Sequence, residues 1–218
     1  MKKTVIKNKP DHKDWIERKG RKYGSVTVFS RIINIEEYRY MQGSMGNDAY
    51  FKMLKETGDI GTAFHKLMHE INEGRGWDIE IKELPSPLNI MLPPVREEYF
   101  SRVKKVLLSE KHFYSDRYMY HGKPDSIYLL DNRKVPDLID FKTGATPNLK
   151  MIRLQLSAYK EMLKENKIST GRRIFWHINR AGKFKEIDLD REFPNSHEAD
   201  FNMFLRARSL YIYINGYK

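Results

Sequence analysis

The chain has 218 residues, with 40 Lys and Arg against 29 Asp and Glu, a net charge of +11 and no cysteine. Disulfides, zinc–cysteine sites and iron–sulphur clusters are thereby excluded, and no run of eighteen apolar residues is present to span a bilayer. The charge excess points to a polyanionic partner, nucleic acid before acidic lipid.

Residues 1–22 read as a basic, weakly patterned and flexible lead-in without the apolar stretch of a secretory signal. Residues 23–218 read as one domain, with no linker and no repeat. A cytoplasmic location is expected. YGSVTVFSRIINI, rich in β-branched residues, predicts a strand passing into a helix start. A helix over Ile60–Asn72 follows from the stripe Ile60, Phe64, Leu67, Met68 and Ile71, and Gly74 and Gly76 end it. WDIEIKEL alternates and predicts a strand; LPSPLNIMLPP reads as a proline-punctuated loop. Val95–Leu108 reads as a helix with Tyr99, Val103, Val106 and Leu107 inward. The stretch from His121 to Gly144 reads as two strands. Thr146 and Pro147 open a helix over Asn148–Asn166, with Leu149, Ile152, Leu156, Tyr159 and Leu163 on one face. RRIFWHIN and KFKEIDLD form a strand pair around the turn RAGK. Asn195 with Glu198 caps a last helix ending at Gly216. The order of elements predicts an α/β or α+β domain with a central mixed sheet flanked by helices.

The chemistry concentrates in HGKPDSIYLLDNRKVPDLIDFKTG. LIDF reads as a central strand buried on both faces, where a plain ion pair stabilises poorly. Asp140 and Lys142, two apart on that strand, share a face. Folded as a hairpin around DNRK with Leu130 opposite Val135, the stretch sets Asp125 opposite Asp140, about 5 Å apart at Cβ. Two carboxylates that close repel, and a divalent cation resolves the conflict. The rival reading is an exposed ion pair. The similar pair Glu80/Lys82 lacks an upstream acid beside a glycine and reads as a charged outer face. Gln155 and Tyr159, four apart, share a face of the helix that follows.

These pieces resemble the PD-(D/E)XK nuclease superfamily, in its RecB-like branch with the lambda-type phage exonucleases and the mitochondrial genome-maintenance exonuclease. YGSVTVFS is similar to the family's Ser-Val-Thr segment and GTAFH to its Gly-Thr-x-x-His helix. SEKHFYSDRYMYHGKPD resembles its strand leading into Gly-x-x-Asp, LIDFKTG its Asp-x-Lys strand, and LQLSAYKEML its Gln-x-x-x-Tyr helix. The five stand in the family's order over residues 24–163. The resemblance implies a restriction-endonuclease-like core and a metal-dependent DNA exonuclease working in replication, recombination or repair, in host cytoplasm if phage-encoded. It implies Mg²⁺ or Mn²⁺ held by Asp125, Asp140 and the backbone carbonyl of Phe141, with His65 as a ligand or beside one. Lys142 would activate the attacking water or stabilise charge on the phosphate. Gln155, Tyr159, Thr143, Lys150 and Arg153 would brace the site and touch DNA, and Glu110 falls where some members place another acid. Linear DNA, an oligomer and a recombination or replication partner protein are compatible with the family, whereas a membrane is not expected. The iron–sulphur clamp of some relatives is absent with the cysteines, and no G-x-x-x-x-G-K-[ST] phosphate loop marks a helicase motor.

Other readings differ in class. A DNA-binding protein with an inert nuclease site and a structure-specific endonuclease both fit the charge. His65 and His69 are four apart, but Lys66 stands where the zinc metalloprotease pattern needs glutamate. The basic and aromatic stretch RRIFWHINRAGKFK either grips phosphates and stacks bases or buries Phe175 and Trp176 in the core. FLRARSLYIYING reads as a packing helix.

Overall fold

The computed structural model describes residues 15–75, 77 and 81–216. The fold is mixed α/β and is organised around one strand, β7 (Asp137–Lys142), which is buried along nearly its whole length. β6 (Ser126–Leu130) runs antiparallel beside it, pairing Ser126 with Ile139 and Ile127 with Leu138, the register expected for the hairpin. β8 (Arg173–Ile178) runs parallel on its other side. β3 (Val103–Ser109) and β9 (Phe184–Asp188) complete a five-stranded sheet in the order β3-β6-β7-β8-β9. A second sheet holds β1 (Trp15–Arg18), β2 (Arg21–Ser25), β5 (Tyr120–Gly122) and β4 (Phe113–Ser115), in that order.

Alternation along β7 sends its side chains into two separate cores. Ile139 and Phe141 face α3 (Asn47–Glu70) and α4 (Leu88–Arg102), where Phe64, Met68, Met91 and Leu92 are fully buried. Leu138 faces a cluster built from α1 (Val26–Arg31), α5 (Leu149–Glu165) and α7 (His197–Asn215), among them Phe29, Ile152, Leu156 and Phe204. Each such side chain stabilises the fold by about 1.5–3 kcal/mol when withdrawn from water. Trp15, Phe113 and Tyr120 of the small sheet pack against this second cluster. α5 forms where expected: the Asn148 side chain caps it by accepting from the Met151 N–H, and Tyr120 Oη donates to its Ala158 carbonyl at 2.9 Å. α2 (Ile35–Met45) and the short α6 (Leu189–Glu192) complete the α-helices among the described residues.

Several expectations need correction. Residues 15–22 are not a loose lead-in. They form the β1–β2 hairpin, whose two-residue turn places Lys19 and Gly20 at φ 52° and 71°, as a type I′ turn requires; residues 1–14 lie outside the described residues. Ile81–Glu83 form a 3₁₀ turn rather than a strand, because Ile81 and Leu84, three apart, both pack on the α3–α4 core; the first part of WDIEIKEL lies largely outside the described residues. LPSPLNIMLPP is mostly helix. α4 runs through Pro93 and Pro94, whose missing N–H groups are offset by burial of Met91, Leu92 and Val95. α4 stops at Arg102, and Val103–Ser109 is strand, with Leu107 exposed rather than inward. Ser196 rather than Asn195 stands at the N-cap position of α7, with no capping bond from its side chain; Asn195 takes a left-handed conformation, φ 60°. α3 begins at Asn47, well before Ile60.

Candidate active site

Asp125 precedes β6, at the end of the turn from Gly122, and its side chain is 9% exposed. Its Oδ2 accepts the Phe141 N–H at 2.7 Å, which ties the carboxylate to β7. Its Oδ1 lies 3.3 Å from Nδ1 of His65 on α3. Glu110 directly follows β3, and its Oε1 lies 3.5 Å from the same nitrogen. The Glu110 backbone is held at φ 49°, a conformation costing about 1 kcal/mol or more for a residue with a side chain. Its N–H donates to the Asp125 carbonyl at 3.0 Å, so the strain joins the two acids.

Ligand atoms of His65, Glu110 and Asp125 all lie within 4.8 Å of one another. Asp140, on the same sheet face as Asp125, is 1% exposed, and its Oδ2 is ion-paired with Lys142 Nζ. Neither Asp140 oxygen has a hydrogen-bond donor in good geometry. Glu110, rather than Asp140, completes the tight cluster with Asp125. Asp140 instead turns to its own lysine, because that ammonium is the nearest compensation for a buried charge.

Every acid here stands against a cation. Lys142 faces Asp140, His65 faces Asp125, and Lys123 Nζ lies 2.6 Å from Glu110 Oε2. Burial disfavours charge on His65, but Asp125 and Glu110 outweigh it and push the imidazole up to about 10. Burial also works against Asp125 and Glu110. His65 and Lys142 nonetheless hold Asp125 below the usual carboxylate range, and His65 and Lys123 do so for Glu110. For Asp140 burial prevails: despite Lys142 the carboxyl is pushed up to about 6. Buried carboxylates crowded around one imidazole, with Asp140 lacking a well-placed donor, fit a hard divalent cation. The imidazole favours Mn²⁺ over Mg²⁺.

A polar layer supports these groups. The Asn72 amide donates to Ser109 and Ser126 at 3.2 and 2.9 Å, and Tyr128 Oη donates to Asn72 Oδ1 at 2.9 Å. Ser109 precedes Glu110 and Ser126 follows Asp125, so Asn72 ties both flanks to the end of α3. His69 Nδ1 lies 3.0 Å from Ser109 Oγ, so this histidine serves that layer rather than pairing with His65 on a zinc ion. Sequence reasoning missed Asn72, Ser109, Ser126 and Lys123. The only trace was spacing, since His65, His69 and Asn72 recur at four and three residues on one helix face.

The remaining expected residues divide. Gln155 Nε2 donates to Tyr159 Oη at 3.2 Å, and the Tyr159 ring lies so close to Gly122 that a Cβ there would meet Cε1 at 2.5 Å. Thr143 is buried beside Gly61 of α3, where a Cβ would stand 3.2 Å from Thr143 Oγ1. Arg153 is drawn away: its guanidinium pairs with Asp200 of α7 at 2.7 Å and lies over the Phe193 ring, because it bridges two packed elements. Lys150 lines a cavity of about 470 Å³ at the start of α5, with Asn34 and Thr146. RRIFWHINRAGKFK is largely structural: Phe175 and Trp176 are buried, Arg172 pairs with Asp137 and Asp188, and Arg173 with Asp190 and Asp200.

No family model matches the chain, and no curated protein matches it. A solved structure described as the crystal structure of SSO0001 is similar at 14% identity and a TM-score of 0.49. The alignment covers 92% of this chain and 79% of that one.

Proposed function

We propose that this chain is a divalent-metal-dependent deoxyribonuclease that hydrolyses phosphodiester bonds. The observation carrying this reading is the convergence of His65, Glu110 and Asp125, with Asp140 and Lys142 on the adjacent strand. Asp125, Glu110, His65 and Asp140 would hold the cation, which when bound neutralises phosphate charge and makes water nucleophilic at neutral pH. His65 must give up its proton to serve as a ligand. Lys142, freed from Asp140, presents its ammonium to the scissile phosphate and stabilises the charge that builds there. Gln155 and Tyr159, hydrogen-bonded to each other and seated under Gly122, fix the α5 face beside the site. The +11 charge favours a nucleic-acid substrate. Action on DNA ends, in replication, recombination or repair, follows from the family resemblance.

The test is a digestion time course with Mn²⁺ or Mg²⁺ on end-labelled linear and closed circular DNA, single- and double-stranded. Degraded linear strands beside intact circles are expected, and Asp140→Ala abolishes the cutting. Cut circles replace the exonuclease reading with an endonuclease. If every substrate stays whole while the chain binds DNA, the enzyme reading fails and a binding protein remains.

A further inference from the structure

The small sheet has one face on the core and one face turned away from it. Trp15, Phe113 and Tyr120 point into the apolar cluster. The register of the four strands places Arg18, Arg21, Tyr23, His121 and Tyr114 together on the opposite face. Tyr23, Tyr114 and the two histidines His112 and His121 belong to neither hydrophobic core.

These side chains form a ladder. The His112 and Tyr114 rings stack with centroids 4.9 Å apart and planes 7° from parallel. The Arg18 guanidinium lies 4.5 Å from the Tyr114 centroid, and Tyr23 meets the same ring edge-on at 5.3 Å. Asp116 steadies the far end. It accepts from Tyr23 Oη at 2.6 Å and lies 3.8 Å from Arg18, so that Arg18 is aimed at the ring. His112 Nε2 lies 2.8 Å from His121 Nδ1. Tyr114 and His112 are only half-buried, and Arg18 is 41% exposed. The ladder is continuous with the candidate active site at both ends of one hairpin. Glu110 is two residues before His112, and Lys123, paired with Glu110, is two residues after His121.

We propose that this outer face is a track for single-stranded DNA, running from Lys123 beside Glu110, across His112 and Tyr114, to Arg18. The inference rests on the nuclease reading and adds where the strand lies. Two features identify the occupant. On this face Arg18 and Arg21, with Lys19 in the turn and Lys123 at the end, are exposed against Asp116, while Glu17 and Lys22 pair on the other face, a balance that suits a phosphate backbone. Tyr23 and His121 are buried beneath, so His112 and Tyr114 are the half-buried rungs that unstacked bases can reach and the closed stack of a duplex cannot use.

The test is anisotropy of fluorescein-labelled oligo(dT) with the full chain in Ca²⁺, where binding is read without cleavage. Arg18→Ala and Tyr114→Leu are expected to weaken binding about tenfold or more. Lys183→Ala, an equal loss of charge at the β8–β9 turn, should cost far less. Cleavage of p-nitrophenyl thymidine 5′-phosphate, too short to reach the ladder, should be unchanged in both ladder variants. If Tyr114→Leu loses its fold by circular dichroism, the exposed Arg18→Ala decides alone. Ladder variants that bind like the wild type, or lose no more than Lys183→Ala, overturn the track. A duplex of equal length competing as well as the single strand overturns its assignment to single strands. A wild type that binds but does not cut leaves the track standing and removes the nuclease; one that neither binds nor cuts removes both.

Discussion

Asp140→Asn should make the metal-free protein more stable while destroying the site. Burial pushes the Asp140 carboxyl up to about 6 in the folded chain, even with the Lys142 ammonium against it. In the unfolded chain the same group titrates near 3.9. A carboxyl raised on folding costs stability. The cost is complete above about pH 6, shrinks as the pH falls, and is gone below about pH 4. Two pH units at about 1.4 kcal/mol each give about 3 kcal/mol at pH 8. Asparagine keeps the shape and removes the charge; the lost ion pair with Lys142 is already counted in that balance. For a domain of this size the gain corresponds to a Tm rise of about 6–12 °C. The assay is thermal unfolding in EDTA at pH 8 and at pH 4.5. The variant should melt higher at pH 8, and only about a third of the gap should remain at pH 4.5. Saturating Mn²⁺ should then raise the wild type more than the variant, since only the wild type keeps the ligand. A variant that melts at or below the wild type at pH 8 in EDTA refutes the reasoning.

Three further outcomes follow from other parts of the molecule. Because Asp125 and Glu110 push His65 up to about 10, Mn²⁺ must expel a proton to use it, and affinity should rise roughly tenfold per pH unit from 6 to 9; calorimetry in buffers of different ionisation heat should count about one proton released, and a flat affinity contradicts this. Gly122→Ala drives a methyl into the Tyr159 ring and should cost about 1–3 kcal/mol in urea unfolding, with partial recovery in a Tyr159→Leu background; an unchanged midpoint contradicts the contact. Arg173→Met removes a buried cation shared by Asp190 and Asp200, leaving them Lys160 and Arg153, and should cost about 1–3 kcal/mol, read as a Tm fall of about 2–12 °C; an unchanged Tm contradicts it.

The centre of the fold was legible because its signals were local. DNRK limited the β6–β7 turn, the apolar run of LIDF marked a doubly buried strand, and the stripe from Leu149 to Leu163 marked α5. The β3 strand was read as helix for a physical reason. Pairing with β6 shifts register between Val103 and Lys105 and again between Val106 and Leu108, so the inward residues recur every three instead of every two. α4 was hidden because proline statistics describe exposed helices, whereas here Met91, Leu92 and Val95 hold the turn by burial. At the site, Asp125, Asp140 and Lys142 announced themselves by charge in apolar strands. Lys123 and Asn72 did not, since an exposed lysine in a turn and an asparagine at a helix end look ordinary until the fold brings Glu110, Ser109 and Ser126 to them. Arg153 misled because a basic residue beside a site helix need not face the site.

The order of elements along the chain bears on how the protein is made. Up to Arg102 the described chain is a lone hairpin and helices. Phe64, Met68, Met91 and Leu92 then have no strand to cover them, and β2 has not met its parallel neighbour β5. Translation delivers the N-terminal half first. The nascent protein therefore leaves the ribosome with its stickiest helix faces bare until β6 and β7 emerge to cover them, and β8 and β9 then complete the large sheet.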